Sequence, residues 1–138
     1  MDKLPPSRKL AKGQNQTSGM QCAFLNLYAG ADGESHFREI EIECTDETPW
    51  GIKASKPLPA TAVIFVEGTG PGVVPLHPAP CRQYVINLDT PFEVTASDGD
   101  RRLIGAGEVV LVEDTTGRGH ITKLFGEKTG HGIFISID

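Results

Sequence analysis

The chain has 138 residues, 38% of them apolar, and a formal net charge of −5 at pH 7. That is enough apolar material for the core of one domain, and too little positive charge for sequence-independent binding to nucleic acid, which needs a basic face to displace condensed counterions. Sixteen glycines and ten prolines disfavour long helices and favour short strands joined by frequent turns.

Three cysteines, Cys22, Cys44 and Cys81, cannot all pair within one chain, and none has the spacing of a metal finger. A reducing compartment is expected. With no apolar run of leader type at the start and none long enough for a bilayer, the reading is a soluble cytoplasmic protein without membrane or nucleic-acid partners.

Residues 1–19 combine Lys, Pro, Gln, Ser and Gly with only two leucines. They are expected to form a flexible arm, because they cannot bury enough apolar surface to offset ordering entropy. The folded domain is placed at 20–138. Residues 23–28 form an apolar strand closed by a Gly-rich turn at 29–33. Residues 37–44 alternate with period two, which puts Ile40, Ile42 and Cys44 on a buried face and Glu39, Glu41 and Glu43 on a wet one.

Residues 48–59 read as an irregular connection. Its Trp50 either seals the core or covers a cavity mouth as a substrate contact. A strand at 62–67 follows, with Glu67 on the face of Val63 and Phe65, a candidate inward acid that also ends the strand before a glycine turn. The turn at 68–72 leads into the His77 segment. Further strands are predicted at 83–88, 92–96, 102–104, 109–112, 120–125 and 132–137, separated by Gly, Pro, Asp and Thr breakers. No segment has sustained helical periodicity. The result is an all-β sandwich or barrel, with a jelly roll as one way to pack it.

Gln83, Val85 and Asn87 share one face of their strand, and His77 has the same parity, although Pro78 and Pro80 interrupt the ladder between them. His120 opens a strand on the face of Thr122 and Leu124. Imidazoles titrate near neutral pH, so His77 and His120 are candidate general acid and base. The alternative is that each is a polar residue satisfied by a backbone carbonyl. His36 and His131 read as strand-end residues.

Arg82, of opposite parity to Gln83, is either an anchor for a substrate carboxylate or half of a surface ion pair. Glu113 is a candidate base, or the group that holds His120 in one tautomer, whereas Asp114 reads as a turn residue. Asn87 and Tyr84 complete the candidate substrate contacts. Tyr84, Ile86 and Leu88 alternate against the Gln83 face; a sheet apolar on both faces needs a cover, so a homodimer is expected.

The segments His77-Pro-Ala-Pro-Cys-Arg-Gln83 and Glu113-Asp-Thr-Thr-Gly-Arg-Gly-His120 resemble the paired motifs of the cupin superfamily. Gly72 precedes His77, Gln83 stands where the family carries a Glu, and Gly107-Glu108 opens the second motif before His120. The resemblance covers about residues 60–137. It implies a double-stranded β-helix, the jelly-roll barrel of cupins, around a small organic metabolite.

The family's metal shell of three His and one Glu is reduced here. Ala79 occupies the second His position and Gln83 replaces the carboxylate, leaving His77, Gln83 and His120 as a poor cage for a divalent cation. The leading expectation is therefore a metal-independent enzyme, without cofactor, that carries out dehydration, isomerisation or cyclisation. His77 and His120 would be acid and base, Gln83 a hydroxyl or oxyanion partner, and Glu113 or Arg82 auxiliary. Two alternatives stand beside it: a metal-dependent oxygenase or lyase using iron, manganese, nickel or zinc on His77, Gln83 and His120, with Glu67 or His131 completing the shell, and a non-catalytic ligand-binding module.

Overall fold

The computed structural model of the chain describes residues 21–138, and the arm expected at 1–19 lies outside the described residues. The strands are β1 (Gln21–Ala29), β2 (Ser35–Glu43), β3 (Asp46–Glu47), β4 (Lys53–Ala54), β5 (Ala62–Thr69), β6 (Gly72–His77), β7 (Gln83–Asn87), β8 (Phe92–Ala96), β9 (Arg101–Ile104), β10 (Val109–Glu113), β11 (His120–Leu124) and β12 (Thr129–Ser136). Among the described residues no helix is long and apolar enough to cross a membrane.

From β5 onward the chain folds back on itself in nested antiparallel pairs: β5 with β12, β6 with β11, β7 with β10, and β8 with β9. The pairs alternate between two sheets. One is six-stranded in the order β2-β1-β10-β7-β12-β5, and the other four-stranded in the order β6-β11-β8-β9. This nesting is the connectivity of a cupin-like jelly roll. The β1–β2 hairpin extends the larger sheet, with β1 lying parallel to β10.

Period-two side chains from both sheets meet between them. Leu25, Leu27, Val94, Ala96, Ile104, Val110 and Val112 are buried there, with Phe37, Val85 and Phe92 packed against them. The register carries one inward row of the large sheet from Ala62 through Ser136, Gln83, Val112 and Leu27 to Phe37, and the next from Ile64 through Phe134, Val85, Val110 and Leu25 to Glu39. Every strand of the large sheet thus contributes to the wall facing the smaller one.

The second row corrects the expected alternation of β2. Glu39 shares the inward face with Leu25, its carboxylate oxygens are shielded from solvent, and neither has a hydrogen-bond partner among the described residues. Burial pushes its carboxyl pKa up, partly opposed by Arg102. Ile40 and Ile42 instead stand on the outer face, half-buried. Alternation is preserved, but which face looks inward is set by pairing with β1, and β1 places Leu25 and Leu27 inside.

The connection before β5 is less irregular than its composition predicts. It contains a short hairpin, β3 with β4, held by Lys53 to Glu47 at 2.9 Å and Lys56 to Asp46 at 2.8 Å. Trp50, at the turn of that hairpin, is 82% exposed; it does not seal the core and is not part of the lining of the cavity between the sheets.

Candidate functional site

The two sheets do not close on each other along β5 and β6. A cavity of about 680 Å³ lies between them, within the range that holds a drug-sized ligand. Its walls carry Val66, Val85, Val110, Leu124 and Phe134, and one end carries His77, Cys81, Gln83 and His120.

His77 is the last residue of β6 and His120 the first of β11, and they are register partners on adjacent strands, with ring centroids 5.4 Å apart. They stand side by side in one sheet and do not face each other across the cavity. The register slips between His120 and Thr122, where β6 carries an extra residue. The β-bulge spans Pro75 and Leu76; Pro75 has no N–H to give the ladder, and bulges re-aim the side chains next to them. The freed Pro75 carbonyl accepts a hydrogen bond from His77 Nδ1 at 2.7 Å.

His120 is held by a stronger contact. Its Nδ1 lies 2.6 Å from Asp114 Oδ2, with Asp114 completely buried and its Oδ1 without a hydrogen-bond partner among the described residues. A carboxylate accepts only, so Nδ1 carries the proton and Nε2 presents its lone pair to the cavity. Sequence reasoning read Asp114 as a turn residue and left Glu113 as either a base or the group that fixes the His120 tautomer. Parity explains the exchange. Glu113 ends β10 on the outer face, where its Oε1 accepts from Asn26 at 2.9 Å and its Oε2 from Arg82 at 3.3 Å. Asp114, one residue later, turns inward, and the loop Thr115-Thr-Gly-Arg-Gly119 doubles back to bring His120 to it.

That doubling back depends on glycine. Gly119 has φ of +86°, and a Cβ there would overlap the backbone of His77. The loop is pinned to the β1–β2 turn by Ser35 Oγ donating to the Gly119 carbonyl at 2.7 Å and by Arg118 N donating to the Gly33 carbonyl at 3.1 Å. Ala79 N donates to the Asp114 carbonyl at 3.0 Å, tying the segment after His77 to the same loop.

Gln83 is buried at the same end, and its amide has a weak contact from Cys81 Sγ at 3.9 Å. Asn87 lines the wall but is committed to structure: its Nδ2 donates to the Thr90 and Ile104 carbonyls and its Oδ1 accepts from Asp89 N. Arg82 lies outside the cavity, paired with Asp138 at 2.8 Å as well as with Glu113. Tyr84 is on the outer face, edge-on to Phe24 with centroids 6.0 Å apart, and burial raises its phenol pKa. Glu67 is exposed at the opposite rim, in register with His131. Of the expected site residues, the structure brings together His77, His120 and Gln83. It leaves Glu113, Arg82, Tyr84 and Trp50 elsewhere, and adds Asp114.

The metal of the cupin family does not fit these donors. Both Nδ1 atoms are engaged, which leaves two imidazole Nε2 atoms and a neutral amide. No group of three or more His, Cys, Asp or Glu side chains among the described residues could hold a metal ion. Such a set lacks the charge that normally binds a divalent cation.

No family model matches the chain, and no curated protein matches it in sequence. Among solved structures it is similar to a Salmonella typhimurium protein whose crystal structure carries the name ethanolamine utilization protein q. The overlay has a TM-score of 0.45 and 10% identity, covering 86% of this chain and 98% of that one.

Proposed function

We propose that the protein is a small cupin that moves protons on an organic metabolite held in the barrel. The observation that carries this reading is the buried Asp114 on His120 Nδ1 with His77 beside it. A carboxylate behind an imidazole sets the tautomer and raises the basicity of the far nitrogen. His120 Nε2 removes a proton from a carbon next to a carbonyl, and the C–H electron pair moves into the new double bond, displacing either the carbonyl π pair onto its oxygen or a hydroxyl from the β carbon. His77, entering as imidazolium with its Nδ1–H on the Pro75 carbonyl, gives its Nε2 proton to the carbonyl oxygen or to a departing hydroxyl. Gln83 hydrogen-bonds the same oxygen. Return of the proton to a different carbon gives isomerisation, and loss of the hydroxyl as water gives dehydration.

The test is exchange of carbonyl α-protons with deuterium oxide, followed by NMR on a panel of small ketones. His77→Ala and His120→Ala are each expected to slow exchange on the order of a hundredfold while keeping the β-rich circular dichroism spectrum. Near-stoichiometric iron, manganese, nickel or zinc, with activity lost on chelation and regained on adding that metal, would overturn the proposal in favour of a metal-dependent oxygenase or lyase. Ketone binding without exchange in the wild type would make the protein a binding module.

A further inference from the structure

The β10–β11 loop that seats His120 is supported by two turns, one from each sheet. The β1–β2 turn, residues 30–34, belongs to the six-stranded sheet, and the β8–β9 turn, residues 97–100, to the four-stranded one. Ser35 and Ser97 join them reciprocally, each backbone N–H donating to the other's Oγ at 2.7 Å. Ser97 Oγ in turn donates to Glu34 Oε1 at 2.8 Å. Ser35 is 1% exposed and spends its hydroxyl proton on the Gly119 carbonyl, so the loop rests on this junction. Arg118 adds its backbone N–H to the Gly33 carbonyl and its guanidinium to Glu34 at 3.3 Å.

His36 stands beside the junction with both ring nitrogens on carboxylates. Nδ1 lies 2.8 Å from Asp98 Oδ2 in the β8–β9 turn, and Nε2 lies 3.0 Å from Asp32 Oδ2 in the β1–β2 turn. Carboxylates only accept, and a neutral imidazole has a single N–H, so keeping both contacts requires the imidazolium. The bonds to Asp32 and then Asp98 accordingly raise the His36 pKa. The other groups around the ring are committed elsewhere. Tyr28 on β1 lies 5.7 Å away between centroids, and the Arg38 guanidinium covers that ring and donates to Asn26. Asp100 pairs with Arg102, and Glu34 with Arg118. When the imidazolium loses its proton, one nitrogen turns a lone pair toward a carboxylate and that contact is lost. Loss at Asp98 unlinks the two turns; loss at Asp32 frees the turn that carries the Gly33 carbonyl. Either one slackens the support of the loop.

We infer that His36, which is not part of the cavity lining, is a pH-sensing positioning residue: as imidazolium it latches the turns of the two sheets together against the β10–β11 loop, and as neutral imidazole it releases them. The latch is fully engaged below the ordinary value of 6.5 and opens as pH rises through the higher folded value. The inference does not rest on the acid–base reading, since the loop seats His120 whatever chemistry that residue serves.

The experiment is amide hydrogen exchange by NMR on the full chain from about pH 5.5 to pH 9. Each rate is taken relative to the unstructured rate at the same pH, and the His36 Cε1–H shift is followed in parallel. Protection of the Ser35, Ser97 and Arg118 amides is expected to fall by about fivefold, the size of one partly exposed ion-pair contact, with a midpoint that coincides with the His36 titration. His36→Gln, neutral throughout, should show the low protection at every pH, whereas His131→Gln should keep the wild-type step. If His36→Gln does not fold, Asp98→Asn serves instead: with one acid removed, the His36 titration and the amide step should move down in pH together. Wild-type protection that stays constant over this range overturns the inference. So does a step whose midpoint departs from the His36 titration, one that survives His36→Gln, or one that vanishes in His131→Gln.

Discussion

At the scale of single residues, the structure separates two kinds of histidine. His120 is 12% exposed and backed by a carboxylate that is itself 0% exposed, a pairing that holds the imidazole in one tautomer. Asp114→Asn is therefore expected to slow exchange by about ten- to a hundredfold without unfolding the chain. The 15N shifts of His120 should show mixed tautomers, a readout that simple loss of packing would not produce. His131 is the contrasting case. Its Nδ1 meets Asp89 Oδ2 at 2.7 Å in solvent, which raises the imidazole pKa and holds Asp89 down to about 2. A raised His stabilises the fold below its ordinary value of 6.5 and loses that contribution as pH rises through the folded value. A depressed Asp contributes above 3.8 and loses its share as pH falls toward about 2. The pair therefore helps most between those limits. Asp89→Asn should lower the melting temperature at pH 5 more than at pH 9; an equal loss at both would show that the ion pair is not what the substitution removed.

At the scale of elements, the loop between β10 and β11 decides whether there is a site at all. Gly119 and Gly107 both have positive φ, so an alanine at either costs about 1–2 kcal/mol in backbone strain. At Gly107 a Cβ has open space, whereas at Gly119 it runs into the His77 backbone. Gly119→Ala is thus expected to melt lower than Gly107→Ala and to lose exchange activity as the two histidines are pushed apart. Matching melting temperatures and rates would mean that the loop does not seat on β6 as described. β6, like β3 and β4, is a strand that was not among those predicted from sequence. Pro75 denies it a ladder donor, and its pairing with β11 comes from the nested topology and not from local propensity.

At the scale of the whole molecule, the outer face of the six-stranded sheet is apolar over β5, β12 and β7. Val63 lies in register with Ile135 and Tyr84, and Phe65 with Ile133 and Ile86. Val63 is 58% exposed and Phe65 75%, and β5 is the sheet's edge strand. A long apolar edge of this kind is an invitation to pairing. We expect a second copy of the chain to cover it, as the alternation of Tyr84, Ile86 and Leu88 led us to expect from sequence. Light scattering at micromolar concentration should report a dimer for the wild type and a monomer for Phe65→Lys. A wild-type monomer would leave the face to some other partner or to water.

The sequence by itself determined the fold class and most strand positions, because period-two alternation and glycine, proline and aspartate breakers are local signals that survive without a partner strand. It also singled out His77, Gln83 and His120, whose parity matches the inward face. It did not determine which face of β2 looks inward, nor that Asp114 and not Glu113 reaches His120. Both depend on a single-residue choice of register and on a loop folded back over glycine, and a slip of one residue exchanges the two faces of a strand. Only the tertiary structure made the two histidines neighbours, since β6 and β11 lie 43 residues apart between His77 and His120 and meet through the nesting of the whole jelly roll.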